Sequence, residues 1–393
     1  MIQRLAARDS VAITGSIIGL ASLPLGWLTL KSSRLAAGTS LNLLESLGTG
    51  GAIILILLWT FCFFLSLRGK QRFPAIALGC IGNLILAAIF LFVGTASSRL
   101  LGDQAAFARV APSAGMWIAL LGAYVVIYAA RSRLSGERAL KNMVSWAGLL
   151  TLGVLLTLGW FNDLSVVQEF TGREERFIQE VIRHIFLFGG SVTLGTLLGV
   201  PLGIWATRSR RSEKPIFFIT NITQTIPSLA LFGILIAPLS ALSLAFPVLR
   251  EIGIRGVGAT PAFIALTIYC LLPIVRNTYV GLRQVDPAAV DAGLGMGMSR
   301  LEVFRRIEVP LALPLVLEGI RTAAVQSVGN TAVAALIGAG GLGHFIFQGL
   351  GQAAPDLIIL GAIPIIVLAL IVDGLMRTVV KVATPKGVQG GAS

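Results

Sequence analysis

Charged residues are scarce in this chain of 393 residues, where Asp, Glu, Lys and Arg make up 12% and hydrophobic residues 55%. About a quarter of the residues in a water-soluble domain are charged. The mean hydropathy is +0.86, and a soluble fold would leave much of this apolar surface without a core to enter. A bilayer accepts such surface. The composition therefore predicts an all-α polytopic membrane protein.

Residues that build catalytic and metal sites are also few. Cys62, Cys80 and Cys270 lie far apart, and His184 and His344 are isolated, so neither disulfide nor zinc spacing is present. The sequence contains no G-x-x-x-x-G-K-[ST] phosphate loop. It also shows no serine–histidine arrangement or paired catalytic carboxylates. We therefore expect no enzymatic activity, no metal and no cofactor on this chain.

Long apolar runs are what the sequence does contain. A membrane-spanning helix needs about 20 mostly apolar residues, and ten runs qualify: 11–30, 50–67, 74–94, 113–130, 143–161, 185–206, 216–238, 260–282, 311–337 and 357–376. The run that holds Asn221, Gln224 and Thr225 is the least lipid-like. We expect it to face protein or a water-filled path.

The distribution of Lys and Arg predicts the orientation. With a cytoplasmic N-terminus, the cytoplasmic loops hold more than twice as many basic residues as the external loops. This distribution places both termini in the cytoplasm. Arg4 and Arg8 precede the first run, but that run is longer than a signal-peptide core, so we expect a retained span. The net charge of +13 is explained by topology and anionic lipid, without nucleic acid.

The composition changes near residue 170. We predict a five-span extension over 1–165, an external polar segment over 166–184, a five-span domain over 185–380 and a cytoplasmic tail over 381–393. No internal repeat is apparent, so the sequence gives no support for the inverted repeats of many secondary transporters.

Small residues recur every four positions early in the second half, at Ser191, Gly195, Gly199 and Gly203. On a helix they share one face and allow a close approach of a neighbouring backbone. This pattern predicts tight packing, either within the subunit or between two subunits.

The long cytoplasmic loop over 283–310 predicts two short helices. Asp286 suits an N-cap and Pro287 the first helical position. Ser299 and Glu302 form a capping box that starts the second helix, and Pro310 is predicted to end that helix and open the next span. Together the helices form a compact knob with an apolar patch and a basic rim. Such a knob suits docking in a partner's groove, or contact with lipid headgroups.

The same loop resembles the EAA loop of ABC importer permeases, which has E-A-A, a glycine six residues after the glutamate, and a closing I-x-L-P. Three positions depart from that pattern: aspartate replaces glutamate, glycine the second alanine and valine the leucine. The resemblance implies docking on a separate ATPase subunit through these residues: Asp291, Ala292, Gly293, Gly297, Phe304, Ile307 and Pro310.

Four further segments, 224–233, 271–279, 319–323 and 335–343, resemble osmoprotectant importer permeases of the glycine betaine, choline and carnitine type. The resemblance implies a type I ABC importer transmembrane domain in the C-terminal five spans. It implies as partners two ATPase subunits, a second permease that is identical or related, and an external substrate-binding protein. Some permeases of this group, close to the low-affinity glycine betaine permeases, carry an N-terminal extension.

The translocation path is expected to be polar and of low affinity. Its candidate residues are Gln224, Thr225, Ser228, Asn277, Tyr279, Gln326, Ser327, Asn330 and Thr331, although each can instead serve as an interhelical hydrogen-bonding group. An ABC importer for another small solute, such as methionine, is the alternative. An ion-coupled secondary transporter is less favoured, because the intramembrane charges Arg276, Glu318, Arg321 and Asp373 do not form a proton relay.

Overall fold

The computed structural model describes residues 9–34, 36–68, 72–102, 107–134 and 136–384. The chain divides into two compact units, Met1–Gly172 and Arg173–Ser393. In chain order, the first unit contains α1 (Ser10–Ser22), β1 (Leu28–Lys31), β2 (Thr39–Leu41), α2 (Leu43–Ser66), α3 (Arg72–Leu101), β3 (Arg109–Pro112), α4 (Ala114–Arg133), α5 (Arg138–Thr157) and α6 (Ser165–Thr171).

Small residues let α1 pack closely on α4 in the first unit. A Cβ added at Gly122 would lie 2.8 Å from the Gly15 carbonyl oxygen, and one added at Gly15 would lie 2.9 Å from the Val126 backbone nitrogen. The backbones therefore nearly touch. The buried Trp27 and Trp59 are the largest side chains of the apolar core around this contact.

The first helix is shorter than the span predicted over 11–30. Helix α1 has 13 residues, or about 20 Å of helix, against a hydrocarbon core of about 30 Å. Pro24 and Gly26 follow it, and proline ends helices because it lacks the N–H donor. The chain then forms β1, which pairs antiparallel with β2 and β3 in a sheet that the sequence analysis did not predict.

The second unit is helical throughout its described elements. They are α7 (Glu174–Arg208), α8 (Arg210–Thr225), α9 (Ser228–Ala245), α10 (Pro247–Glu251), α11 (Ala259–Arg283), α12 (Pro287–Gly295), α13 (Arg300–Val303), a π-helical turn (Phe304–Glu308), α14 (Val309–Ala334), a 3-10 turn (Ala335–Ile337), α15 (Gly343–Gly351) and α16 (Pro355–Ala383). Helix α11 lies at the centre and packs on α7 and α14. Helix α7 begins well before residue 185, because Glu174 and Glu175 favour a helix N-terminus.

The small-residue face of α7 packs on α11 inside this unit. A Cβ added at Gly195 would lie 2.6 Å from Cys270 Cβ, and one added at Gly203 would lie 2.6 Å from Thr278 Cβ. The Ser191 hydroxyl donates to the Phe263 carbonyl at 3.3 Å. Of the two sequence-based alternatives, the structure shows packing within the subunit.

Among the described residues, nine helices are long and apolar enough to cross a membrane, by length and composition. They are Leu43–Ser66, Phe73–Leu101, Ala114–Arg133, Arg138–Thr157, Glu174–Arg208, Ser228–Ala245, Ala259–Arg283, Arg300–Ile337 and Pro355–Ala383. The protein is thus an all-α polytopic membrane protein with one small sheet.

The run predicted as a single span over 216–238 is broken in two. Helix α8 ends at Thr225, and Ile226 takes an extended conformation before Pro227. A residue that precedes proline is driven out of the helical region by the proline ring. The amide and hydroxyl groups of this run therefore flank a break in the helix.

Candidate coupling and translocation site

The first short helix of the 283–310 loop forms as its N-cap residue and its proline predict. The Asp286 side chain accepts a hydrogen bond from the Ala288 N–H at 2.9 Å, and Pro287 follows as the first residue of α12. After the helix, Gly297 has a φ of +85°. Only glycine adopts this region without strain, so Gly297 gives the turn its direction.

The capping box that starts the second helix is also confirmed. The Glu302 N–H donates to the Ser299 hydroxyl at 3.3 Å, and the Ser299 N–H donates to the Glu302 carboxylate at 2.9 Å. The prediction that Pro310 ends this helix is wrong. The chain continues through the π-helical turn, where the Val309 N–H donates to the Phe304 carbonyl. Proline has no N–H to donate, so it interrupts the regular hydrogen bonding of an α-helix. The wider π-helical turn lets the helix continue past this point, and α13 runs on into α14.

Gly293 brings the two short helices together. It is buried, and an added Cβ would lie 2.6 Å from Ile307 Cδ1 and 3.2 Å from Val303 Cγ2. Glycine at the second alanine position of the EAA pattern therefore leaves room for the Ile307 side chain. Gly293 and Ile307 act inside the knob, where they fix the angle between α12 and α13.

Other side chains form the outer surface of the knob. Leu294, Met296 and Leu301 are 42%, 71% and 56% exposed, and Asp291 and Ala292 are also exposed. The EAA pattern does not include Leu294 or Met296. Their apolar character next to the motif glycines was the signal for a contact surface.

A cleft of about 470 Å³ lies between the knob and the end of α7. Phe304 lines it, and the guanidinium of Arg208 lies 5.3 Å from the centroid of the Phe304 ring. Arg208 also pairs with Glu308. The predicted coupling residue Phe304 is thus half-buried and linked to α7. Together with the exposed Leu294 and Leu301, it makes an apolar depression that has basic residues at its edge.

The predicted path residues of the broken run stabilise the break. The Gln224 amide donates to the Tyr269 carbonyl at 2.6 Å, and the Tyr269 hydroxyl donates to the Ile226 carbonyl. Thr225 donates to the Ile222 carbonyl at 2.7 Å. The two bonds that involve Tyr269 tie the break to α11, so Gln224 has a structural partner. Thr225 bonds within its own helix and stays exposed. Ser228 is half-buried at the start of α9.

The two path candidates on α11 differ in their surroundings. The Asn277 amide donates to the Pro273 carbonyl at 2.8 Å on its own helix. The Tyr279 hydroxyl donates to Glu213 Oε1 at 2.9 Å and accepts from Arg283 at 3.3 Å. Tyr279 therefore joins α8 to the end of α11 that leads into the knob.

The four candidates on α14 fall on two faces of that helix. Ser327 and Thr331 are buried in the packing of the unit. Gln326 is exposed and Asn330 is half-exposed. Together with the exposed Thr322 they are spaced four residues apart, so they form a polar stripe on one face. Of the four candidates, the structure thus buries Ser327 and Thr331 and leaves Gln326 and Asn330 accessible.

A buried pair on α7 was missed by the sequence analysis, which treated His184 as isolated. Glu180 accepts a hydrogen bond from the Gly341 N–H at 2.6 Å, and His184 Nδ1 accepts one from the Leu342 N–H at 3.2 Å. His184 Nε2 lies 3.1 Å from the Val328 carbonyl. The spacing of four residues between Glu180 and His184 was the available signal. The pair anchors the glycine-rich turn after α14.

Three of the four intramembrane charges, Glu318, Arg321 and Asp373, are paired in the structure. Arg276 is exposed and forms no ion pair among the described residues. Arg321 contacts Glu318 at 2.8 Å, as the spacing of three residues suggested, and also Asp373 at 2.7 Å. Asp373 contacts Arg377 at 2.8 Å. This network joins α14 to α16.

Two family models match the chain. Residues 199–382 match "Binding-protein-dependent transport system inner membrane component", and residues 7–167 match "ABC transporter permease YehY, N-terminal domain". The chain is similar to the glycine betaine/carnitine/choline transport system permease protein OpuCB of Bacillus subtilis, with 39% identity over 53% of this chain and 88% of the relative.

It is also similar to the osmoprotectant import permease protein OsmW of Salmonella typhimurium, with 39% identity over 53% of this chain and 91% of the relative. Among solved structures, the inward-facing MetNI methionine ABC transporter aligns over 53% of this chain and 96% of its own, with 21% identity and a TM-score of 0.46. The family assignment depends on the sequence matches and not on this structural similarity.

Permeases of this kind are membrane subunits without enzymatic activity, and they work with ATPase and substrate-binding partners. An inner-membrane location is expected for a multi-pass permease of this type. The chain belongs to the family of binding-protein-dependent transport system inner membrane components, the permease subunits of ABC importers.

Proposed function

We propose that this permease forms the translocation path for glycine betaine or a related quaternary ammonium osmoprotectant. One observation carries the substrate class. Relatives named for glycine betaine, carnitine and choline transport are 36% to 39% identical to the chain over more than half its length. Residues 7–167 match a second, separate family model.

Coupling is assigned to the knob of the 283–310 loop. Its apolar outer residues Leu294, Met296 and Leu301 would enter a groove of the ATPase, while Asp291 and Ala292 border the contact. Gly293 and Ile307 keep the knob rigid, and the link from Phe304 through Arg208 connects it to α7. Movement of the ATPase would therefore reach the core helices through packed side chains.

The polar stripe of Thr322, Gln326 and Asn330 is assigned to the path, with Thr225 as a further contributor. A transported solute needs weak, exchangeable contacts. Hydroxyl and amide groups that remain exposed can provide them, whereas Ser327 and Thr331 are already used in packing. The quaternary ammonium itself would be recognised mainly by the external substrate-binding protein, where an aromatic cage binds it by cation–π attraction.

The complete transporter would contain two permease subunits, two ATPase subunits and one external substrate-binding protein. Each chain provides one knob, while two ATP sites form between two ATPase subunits, so a second permease is required for a symmetric closing movement. Both termini of this chain would lie in the cytoplasm, on the evidence of its basic loops.

Competition in proteoliposomes tests the substrate class. The reconstituted transporter, with ATPase and cognate substrate-binding protein, should take up labelled glycine betaine, and excess choline or carnitine should reduce this uptake. Excess methionine serves as the control and should leave uptake unchanged. Transport of methionine without transport of any quaternary ammonium compound would replace this proposal with the alternative substrate.

A further inference from the structure

A polar cleft lies at the end of α11 that is farthest from the coupling loop. Its volume is about 670 Å³, and three arginines line it: Arg183 of α7, Arg250 of α10 and Arg255, which follows α10. Ser240 and Ser243 of α9 add polar groups. The second unit thus has a basic cleft beside the first residues of α11.

The cleft and the coupling knob occupy opposite ends of the membrane domain. Helix α11 has 25 residues, or about 37 Å of helix, and begins at Ala259, next to the cleft. It ends at Arg283, where the coupling loop starts. This length exceeds the hydrocarbon core of about 30 Å. The arginines therefore lie at the membrane face opposite the ATPase, where an external substrate-binding protein would approach.

The three arginines are exposed. The Glu180 carboxylate lies near Arg183, where both side chains approach Gly340. Within the described part of the chain, none of them forms an ion pair, whereas nearby Arg176 contacts Glu180 at 2.6 Å. External loops of membrane proteins are usually poor in basic residues. Three unpaired arginines in one external cleft therefore have no role in topology, and they leave positive potential available to a partner.

The cleft is built on fixed backbone. The Gly258 N–H donates to the Ile337 carbonyl at 2.9 Å, and the Arg183 side chain packs over Gly340, in the turn that Glu180 anchors. Gly253 and Gly258 have φ values of +88° and +98°, which fix the course of the segment that carries Arg255. The guanidinium groups are therefore presented from a defined surface.

We propose that this arginine cleft is the docking site for carboxylate side chains of the external substrate-binding protein. This inference rests on the proposed function, since it assumes a receptor-dependent importer. Guanidinium groups form strong, directed hydrogen bonds with carboxylates. Charges at the rim of an interface act mainly on the association rate and on its salt dependence. The cleft thus guides the receptor to a position in which the receptor opens over the translocation path.

Receptor association with the permease–ATPase complex in nanodiscs tests this proposal. The probe is the purified cognate substrate-binding protein loaded with glycine betaine, measured at 50 mM and 300 mM NaCl. The test variant combines Arg183→Gln, Arg250→Gln and Arg255→Gln. The matched control is the double variant Arg210→Gln and Arg211→Gln. It removes two exposed arginines at the start of α8, next to the end of α7 that is farthest from the cleft.

We expect the triple variant to associate at least 10-fold more slowly at 50 mM NaCl, and within about 3-fold of wild type at 300 mM, because salt screens the attraction. The basal ATPase activity should change little, and the control should associate like wild type. Equal association of the triple variant and wild type at low salt would overturn the proposal.

Lipid composition separates receptor docking from headgroup binding. The same comparison is made in phosphatidylglycerol and in phosphatidylcholine nanodiscs, and the loss should be equal in both. A loss confined to phosphatidylglycerol would assign the arginines to anionic lipid and overturn receptor docking. Failure of the wild-type complex to bind the receptor in either lipid would instead contradict the proposed receptor-dependent importer.

Discussion

Single glycines serve two different purposes in the coupling loop. Gly293 is required for space, because a Cβ at this position would lie only 2.6 Å from Ile307 Cδ1. Gly297 is required for backbone conformation, because its φ is +85° while the space around it is open among the described residues. Glycine thus shapes the knob in two ways: Gly293 leaves room for a neighbouring side chain, and Gly297 allows the backbone to turn.

Substitution of Gly297 should uncouple transport from ATP hydrolysis. A side chain at this φ costs about 1–2 kcal/mol of backbone strain, which would be relieved by moving the turn away from the ATPase. We expect Gly297→Leu to lower substrate-stimulated ATP hydrolysis and uptake at least 10-fold, while the permease still reaches the membrane. Gly297→Ala carries the same backbone strain and should also show a loss in these assays.

Gly295 provides the matched control for this experiment. It lies two residues earlier, also in open space, and it ends α12 without a positive φ. Gly295→Ala should retain near wild-type coupling. Normal substrate-stimulated hydrolysis in Gly297→Leu would contradict the role of this turn.

At the residue scale, the sequence predicted the interactions between residues that are close together in the chain. The N-cap at Asp286 and the capping box of Ser299 and Glu302 depend on neighbours within three residues, and the structure shows both. The hydrogen bond that the Gly341 N–H donates to Glu180 joins distant parts of the chain. The close approach of Ile307 to Gly293 likewise joins two separate segments of the loop. Such contacts depend on how helices pack, which spacing alone does not reveal.

At the element scale, α7 and α11 form the central contact of the second unit. The glycines of α7 fit against Cys270, Ile274 and Thr278, which recur every four residues on α11. Two regular faces therefore fit closely along much of both helices. This fit joins the knob end of the unit to its opposite end.

Filling this contact should destabilise the permease. Gly195→Leu would force a side chain against Cys270 Cβ, 2.6 Å from the position of the new Cβ. Overpacking costs about 1–3 kcal/mol, so we expect the thermal midpoint of the purified protein in detergent to fall by about 5 °C.

Gly189→Leu places the same side chain on the same helix, where an added Cβ meets no described atom within 4 Å. Its midpoint should remain within about 1 °C of wild type. If Gly195→Leu were as stable as Gly189→Leu, the close fit between α7 and α11 would be refuted.

Helix ends were harder to predict than helix existence. The apolar runs identified the long helices, yet the first run becomes the short α1 followed by β1, because Pro24 and Gly26 end the helix. Pro310 was predicted to end a helix, but a π-helical turn continues the helix past it. In both cases the outcome depended on whether the surrounding chain could satisfy the freed backbone groups.

At the scale of the whole molecule, the two compact units match different family models. Relatives that align over 88% to 96% of their own length cover only 53% to 57% of this chain. The transport function of this family therefore does not depend on a unit like Met1–Gly172. The sequence indicated a change in composition near residue 170, but not the sheet inside the first unit.

Removal of residues 1–165 should leave measurable transport. In the proposed topology the remaining chain begins outside, so a cleavable signal peptide would replace the extension. We expect glycine betaine uptake in proteoliposomes to fall less than 10-fold, because the knob and the polar stripe of Thr322, Gln326 and Asn330 are retained. Complete loss of uptake from a shortened permease that is inserted and bound to its ATPase would place the extension in the transport machinery.

The dependence of uptake on ATP tests the central claim most directly. The permease, its ATPase and the cognate substrate-binding protein are reconstituted in liposomes, and entry of labelled glycine betaine is followed with and without ATP. The account predicts uptake only when ATP, the ATPase and the binding protein are all present. Uptake that persists without ATP, or without the ATPase, would contradict it.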